Sequence, residues 1–300
     1  MSEPFYTDKQ QVRRSFERAA DSYDAAAVLQ REVSDRMQAR LDYIKHLPAW
    51  LLDAGSGTGY GTRKLREQYP DARVIELDLA LGMLQVSAGQ AAWWKKHLPF
   101  IKHSRPPQVC GDIERLPLGD ASVDMVWSNL AIQWCNTPDL AFAEFHRVLK
   151  PEGLLMFATL GPDTLKELRQ AFSGLDGHTH VNKFIDMHDI GDALVRAGFS
   201  EPVMDMENIT LTYDSVRAVM ADLKAIGAHN VTQGRGQGLM GKQRWQQVLD
   251  NYEKLRRDGR LPATYEVVYG HAWRPQPKPP TQLADGRQII EFRPRPKPDA

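Results

Sequence analysis

Three hundred residues exceed one ordinary domain of about 150, yet α/β domains of about 200–250 residues are routine, so one main domain with additions is expected. Hydrophobic residues make up 42 % of the chain, and 38 Lys plus Arg balance 38 Asp plus Glu, which excludes a globally basic nucleic-acid binder while leaving local patches open. The cysteines, Cys110 and Cys135, lack Cys-x-x-Cys companions, which excludes a disulfide framework and a zinc site and fits a reducing compartment.

The N-terminal segment is charged throughout and has no apolar core, so no secretory leader is expected. Nor is there an apolar run of about 18 residues. The expectation is a soluble, cytoplasmic protein with no membrane and no nucleic-acid partner. Val12, Phe16, Ala19 and Tyr23 recur at helical spacing, and Leu29, Val33, Met37, Leu41 and Ile44 repeat it, which predicts two helices before the first strand. From Trp50 the texture alternates. The apolar runs WLLD, ARVIELD, PQVCGD, SVDMVWSN and GLLMFAT are separated by helical stretches, among them one through Tyr69, Leu81 to Trp94 and Asp139 to Leu149. Such βα units predict an α/β, Rossmann-like, doubly wound and mostly parallel sheet.

Beyond it, a helix is predicted from Pro162, where proline suits a first turn, and another through DMHDIGDALVRAGF, closed by Gly198. VMDMENITLTY and TYEVVYGHAW read as strands that complete a seven-stranded sheet as an antiparallel pair. Between them lie helices over Asp214 to Ile226 and Lys242 to Arg257, joined by GAHNVTQGRGQGLMG, whose five glycines mark a flexible loop. This insertion is expected to cap the site. The segment from Arg274 onward contains seven prolines and reads as an unpacked tail.

The stretch LLDAGSGTGYG, Leu51 to Gly61, carries the chemistry. Gly55, Gly57 and Gly59 let the backbone of a strand–turn–helix pass close to a ligand at a helix N-terminus. The dinucleotide fingerprint wants G-x-G-x-x-G, but its sixth position here is Tyr60. Asp53 sharpens the distinction, since a carboxylate there repels a pyrophosphate and attracts an ammonium or sulfonium. Asp78, followed by Leu79, ends the second strand 19 residues after Gly59, where it can accept from both ribose hydroxyls. Asp112 after the third strand can accept from an adenine amino group, with Ile113 against the ring. Acids at three consecutive strand ends describe S-adenosylmethionine. Asn129 is a further candidate cofactor contact, and Gln133 and Trp134 are candidates for the floor of an acceptor pocket. The stretch SNLAIQWC lacks both the Asn/Asp-Pro-Pro-aromatic motif of amino methylation and a cysteine after proline, so a nucleic-acid base is disfavoured as acceptor.

Five stretches together resemble the malonyl-acyl carrier protein O-methyltransferases of biotin synthesis, within the class I methyltransferases. They are VRRSFERAADSYDAAAVLQREVSDRM, LLDAGSGTGYGT, DMVWSNLAIQWC, ITLTYDSVRAVMADLKAIGAHNVTQGR and LPATYEVVYGHAW. The likeness covers about residues 9–273 and leaves the proline-rich tail without a counterpart. It implies methyl transfer to the free carboxylate of a malonyl thioester, masking its charge so that fatty-acid elongation enzymes accept the ester as a primer. It also implies that the segment around FERAADSYD lies over the cofactor, making Tyr23 a lid residue that positions the reacting groups. The expected division is a helical lid (1–47), a cofactor-binding core (48–213), a helical cap (214–262), a final strand (263–273) and the tail (274–300).

A malonyl carboxylate asks for a cation, and Arg169 is the preferred candidate ahead of Lys183, Arg196, Lys224 and Arg235. An acidic acyl carrier protein asks for a basic patch near the pocket mouth, for which Lys242, Arg244, Arg256 and Arg257 are candidates. Two alternatives stay open. The general fold also serves other small acids and quinone precursors, and VNKFIDMHDIGDAL with ATYEVVYGHAW resembles an assembly factor of respiratory complex I that modifies arginine.

Overall fold

The structure, a computed structural model, describes residues 7–97, 105–175, 180–228 and 241–277. Seven strands form one sheet in the order β3-β2-β1-β4-β5-β7-β6. They are β1 (Trp50–Ala54), β2 (Arg73–Asp78), β3 (Gln108–Cys110), β4 (Val123–Asn129), β5 (Leu149–Leu160), β6 (Ser200–Tyr213) and β7 (Leu261–Trp273). The first five run parallel, and β7 pairs antiparallel with both β5 and β6.

The alternation of side chains along each strand sorts the core into two layers. Leu51, Met125 and Met156 point to one face, where Val33 and Met37 of α2 (Val28–Leu41) and Leu65 of α3 (Tyr60–Gln68) cover them. Leu52, Val126 and Leu155 point to the other, against Phe142 and Phe145 of α5 (Pro138–Val148) and Leu194 of α7 (Met187–Arg196). Because β1 and β4 are neighbours, strand order reverses between them. A crevice therefore opens beyond their carboxyl ends, the place where such sheets hold ligands.

The N-terminal helix α1 (Lys9–Ala26) starts at Asp8, whose carboxylate caps the amides of Gln10 and Gln11 at 3.0 and 3.2 Å. It runs across that crevice. Its Glu17 carboxylate accepts from the amides of Leu81 and Gly82, both at 2.8 Å, and so caps α4 (Leu81–His97) from outside. On its other flank Ser22 Oγ lies 3.4 Å from the carbonyl of Ala225, the last residue of α8 (Val216–Ala225).

Several boundaries differ from the sequence reading. The helix expected from Pro162 begins only at Lys166 (α6, Lys166–Phe172). The amide of Asp163 is held by the Glu266 carboxylate at 2.6 Å and that of Leu165 by the Thr264 carbonyl, so these residues belong to β7's edge rather than to a helix. The last helix, α9 (Lys242–Glu253), stops short of Arg257 because Arg257 and Arg260 exchange both backbone bonds at 2.8 Å. Asp258 and Gly259 between them both take positive φ, +48° and +75°, as an Asp-Gly reversal into β7 requires. Arg274, assigned to the tail by its prolines, is still tied to the sheet through Gly153 and Glu152.

Candidate functional site

The glycine loop connects β1 to α3 with all three glycines at positive φ: +86° at Gly55, +53° at Gly57 and +80° at Gly59. Two of them also lack room for a side chain. A Cβ on Gly55 would sit 2.4 Å from Cβ of Ala131, and one on Gly59 would sit 2.3 Å from Oγ of Ser87. The amide of Gly57 donates to Asp78 Oδ2 at 2.9 Å, and the amide of Ala80 to Asp78 Oδ1 at 2.8 Å. Asp78 thus braces the loop while keeping acceptor capacity on both oxygens.

Asp53 is 2 % exposed and accepts from Thr62 Oγ1 at 2.7 Å. Burial pushes its carboxyl up to about 7, against the pull of the Thr62 hydroxyl, and the nearby charges of Glu76 and Asp78 push the same way. Burial likewise lifts Asp78 to about 6, opposed by the amides of Ala80 and Gly57. The crevice therefore gathers buried carboxyls whose ionised forms are short of a positive neighbour. A cationic ligand would relieve them.

Three contiguous cavities meet over this loop. The first is lined by Gly55, Gly57, Asp78, Leu79, Asp112, Ile113 and Asn129 from the strand ends, roofed by Lys9, Val12, Phe16 and Tyr23 of α1. The second, beside Asp53, is lined by Arg31, Gln30, Ser56, Trp127 and Asn129. Here Gln30 Oε1, Ser56 Oγ, Trp127 Nε1 and Asn129 Oδ1 are buried without hydrogen-bond partners among the described residues, a cluster that calls for a polar ligand. The third lies beyond Tyr23 and is largely apolar, with Leu130, Trp134, Leu168, Phe184 and Ile226 among its walls and Gln133, His180 and Asn182 among its polar groups. Tyr23 lines all three cavities. Burial and the charges of Asp78 and Asp24 raise its phenol well above the ordinary tyrosine range, so it stays protonated. Phe16 stacks edge-on to Trp134 at 5.4 Å and to Tyr23 at 6.4 Å, closing the partition.

The structure thus brings Tyr23, Asp53, the glycines Gly55 and Gly57, Asp78, Leu79, Asp112, Ile113, Asn129, Gln133 and Trp134 around one connected space. Gly59 stands behind, shaping the turn. Asp112 is already engaged by α1. Lys9 Nζ lies 2.7 and 2.9 Å from its two oxygens and also pairs with Glu114, so the carboxylate assigned to the adenine already holds α1. One lone-pair position on Oδ2 remains.

Arg169 is a correction. It is exposed, and its guanidinium donates to the carbonyls of Pro162 at 2.9 Å and Thr164 at 3.1 Å, closing the late start of α6 instead of facing the cavity. Arg196 pairs with Asp139 at 2.8 Å on the surface, Lys224 is exposed on α8, Lys183 is absent from the cavity lining, and Arg235 lies outside the described residues. Among the basic patch, Arg256 is consumed by Glu253 at 2.8 Å and by nearby carbonyls. Arg257 lines a groove with Thr264, whereas the apolar cavity is lined by Tyr265. Neighbours on one strand point to opposite faces, so Arg257 is behind the sheet from that cavity. Lys242 and Arg244 are exposed on α9.

Sequence reasoning missed Lys9, Glu17, Asp24 and Arg31. Asp24 accepts from the Thr58 hydroxyl, and Arg31 donates to the Asp24 carbonyl and lines the second cavity together with Asp53. The only local signal was their position on the two N-terminal helices already read from their spacing.

Comparison with known proteins agrees with this geometry. Residues 52–157 match the family described as "Methyltransferase domain". The chain is 66 % identical over 299 residues to a protein of Laribacter hongkongensis, covering 98 % of this chain and 99 % of that one, and 66 % identical over 287 residues to one of Gallionella capsiferriformans (96 % and 97 % covered). Both carry the name malonyl-[acyl-carrier protein] O-methyltransferase, as does a 43 % identical protein of Coxiella burnetii (90 % and 89 % covered). Among solved structures, the YcgJ protein of Bacillus subtilis superposes with a TM-score of 0.56 at 13 % identity, covering 80 % of this chain and 98 % of that one. A methyltransferase-like protein of Bacillus halodurans gives 0.53 at 18 % (80 % and 99 % covered). At such identities these two speak to the fold alone. No helix among the described residues is long and apolar enough to cross a membrane.

Proposed function

The chain belongs to the malonyl-[acyl-carrier protein] O-methyltransferases, and from that membership we propose that it moves a methyl group from S-adenosylmethionine to the free carboxylate of a malonyl group on an acyl carrier protein. The observation that carries this reading is the position of Tyr23 where the three cavities meet. A nucleoside-sized crevice and a polar, charge-bearing pocket lie on one side of it, and an apolar cavity on the other.

The residues present fit the cofactor. Asp53 and the unpartnered oxygens of Gln30, Ser56 and Asn129 suit an ammonium, and the Arg31 guanidinium suits a carboxylate. Asp78 suits ribose hydroxyls, and Ile113 and Asp112 suit the face and edge of a base. When bound, S-adenosylmethionine supplies an electrophilic methyl group on a sulfonium. The chain's own work is then positional. A carboxylate acceptor has an ordinary pKa of about 4 and needs no deprotonation, so no general base is required. Tyr23, Phe16 and Trp134 wall the junction, hold the acceptor in line and keep out water that would solvate its charge.

In this reading α1 and α2 serve as a lid, and α8 and α9 cap the acceptor side. The methyl ester loses its charge and becomes an acceptable primer for chain elongation, in the cytoplasm alongside the carrier protein. The test is label transfer from methyl-labelled S-adenosylmethionine to malonyl-loaded carrier, with acetyl-loaded carrier as control. A base-labile ester formed only on the malonyl thioester is the expected result. Absence of label in a preparation that binds the cofactor would overturn the assignment.

A further inference from the structure

The cavity beyond Tyr23 poses an electrostatic problem for the acceptor just assigned. Its walls are mainly apolar, and among the described residues no lysine or arginine lines it. A carboxylate brought there loses its hydration, which is strongly unfavourable unless a positive group receives it. One lining side chain is able to carry a positive charge. It is His180, in the segment that leads from α6 to α7.

Its ring is held in place. His180 lies flat against Phe172, the last residue of α6, with ring centroids 4.0 Å apart and planes inclined by 13°. Phe172 is itself buried, so it fixes the plane of the imidazole. Gln133 and Asn182 border the same cavity. The Gln133 Nε2 gives one hydrogen to the Leu130 carbonyl at 2.6 Å and has a second to offer.

We propose that His180, as an imidazolium, receives the free carboxylate of the malonyl group and so selects a charged acyl chain over a neutral one. The inference rests on the carboxyl-methylation reading above.

Histidine ordinarily changes charge between about pH 5 and 8. The titratable groups that face His180 across the cavity are the phenols Tyr23 of α1 and Tyr265 of β7, both raised by burial and therefore neutral in that range. Tyr265 bonds to Tyr213, which donates to Asp222 of α8 at 2.6 Å. The other charged groups on these segments are Lys166, Glu167 and Arg169 of α6, Lys183 and Asp186 of the same connecting segment, Arg217 and Lys224 of α8 and Glu266 of β7. Asp53 and Asp78 titrate in the cofactor crevice, so the experiment is run at saturating S-adenosylmethionine.

Steady-state methylation of malonyl-loaded carrier is measured from about pH 5.5 to 8 for the wild-type chain, H180Q and H180R. The wild-type KM for the carrier is expected to rise with pH as the imidazolium is lost. H180Q is expected to raise KM about tenfold or more at the acid end, leave kcat within about threefold and abolish the pH dependence. H180R is expected to keep KM low and flat. A wild-type KM and pH profile in H180Q would overturn the proposal. So would an H180R enzyme as impaired as H180Q, or loss of S-adenosylhomocysteine affinity in both, since either assigns His180 to packing. A wild-type chain that binds cofactor but never methylates the malonyl carrier would remove the carboxyl-methylation reading itself, and this inference with it.

Discussion

The ammonium of Lys9 lies 2.7 Å from Oδ1 and 2.9 Å from Oδ2 of Asp112, pinning the first turn of α1 to the loop that follows β3. Thr7 adds a second tie, since its amide donates to Asn136 Oδ1 at 2.6 Å and its carbonyl accepts from Asn136 Nδ2 at 3.0 Å. Roof and floor of the first cavity are thus fastened at the edge where a base would enter. K9M should loosen that edge without disturbing the core. S-adenosylhomocysteine is expected to dissociate about tenfold faster in stopped-flow displacement, in line with the loss of a charged hydrogen bond worth about 1.5–3 kcal/mol that is partly screened by solvent. Release at the wild-type rate would show that Lys9 does not hold the roof.

Gly55→Ala tests the steric reading of the loop. The substitution meets Ala131 at 2.4 Å and forces a left-handed φ of +86° on a residue with a Cβ. A cost of about 2–4 kcal/mol is expected, combining about 1–2 for the backbone and about 1–3 for the clash. Gly89→Ala is the control, since nothing lies within 4 Å of its Cβ position on α4. Alanine there should be neutral or stabilising by up to about 1 kcal/mol. Equal melting temperatures for the two variants would refute the account.

Tyr23→Phe retains the ring that partitions the cavities and removes only the hydroxyl. Folding and cofactor affinity should persist while kcat for methyl transfer falls about tenfold, less than the loss of a full oxyanion-type donor. Unchanged turnover by a well-folded variant would confine Tyr23 to shaping the space.

The acids of the crevice make cofactor binding depend on pH. Asp53 and Asp78 are lifted to about 7 and about 6 in the folded chain. Unfolded, both titrate near 4. The folded chain therefore binds more protons over that interval, and its stability without cofactor falls as pH rises from about 4 towards 6 and 7. A ligand carrying an ammonium favours the ionised forms, so its binding should release protons near pH 6 and tighten towards pH 8. Calorimetry in buffers of different ionisation enthalpy measures this, and D53N should remove the larger part. Binding that takes up protons would contradict the reading.

For Arg169, whose guanidinium closes the turn before α6, alanine should leave the KM for malonyl carrier unaltered and cost less than about 1 kcal/mol in stability. A raised KM with normal stability would return Arg169 to the acceptor site.

Much of this architecture was legible in the chain because it follows from local pattern. Leu51 and Leu52 alternate between two faces, and the glycines punctuate a strand–turn–helix. Asp78 falls at the strand end where the topology opens. The Asp258–Gly259 reversal carries a strong Asp-Gly hairpin signal that the sequence reading did not use. What could not be read were the pairings between distant segments. Lys9 and Asp112 are 103 residues apart, and Glu17 and Leu81 are 64 apart. No periodicity marks either pair. His180 was overlooked for a related reason, since its significance comes from walls contributed by α1, α6, α8 and β7, none of which its own sequence neighbourhood announces.

The contact between Ser22 of α1 and the Ala225 carbonyl spans 203 residues, and it bears on the order in which the molecule is made. The first helix leaves the ribosome before any of the segments it will touch. At about 5–20 residues per second, about 10–40 s of synthesis separate it from α8. Until the strand ends as far as Asn129 have followed, Val12, Phe16 and Tyr23 have no crevice to cover, and the contact with α8 comes later still. The helix that leaves the ribosome first is therefore among the last to find its place.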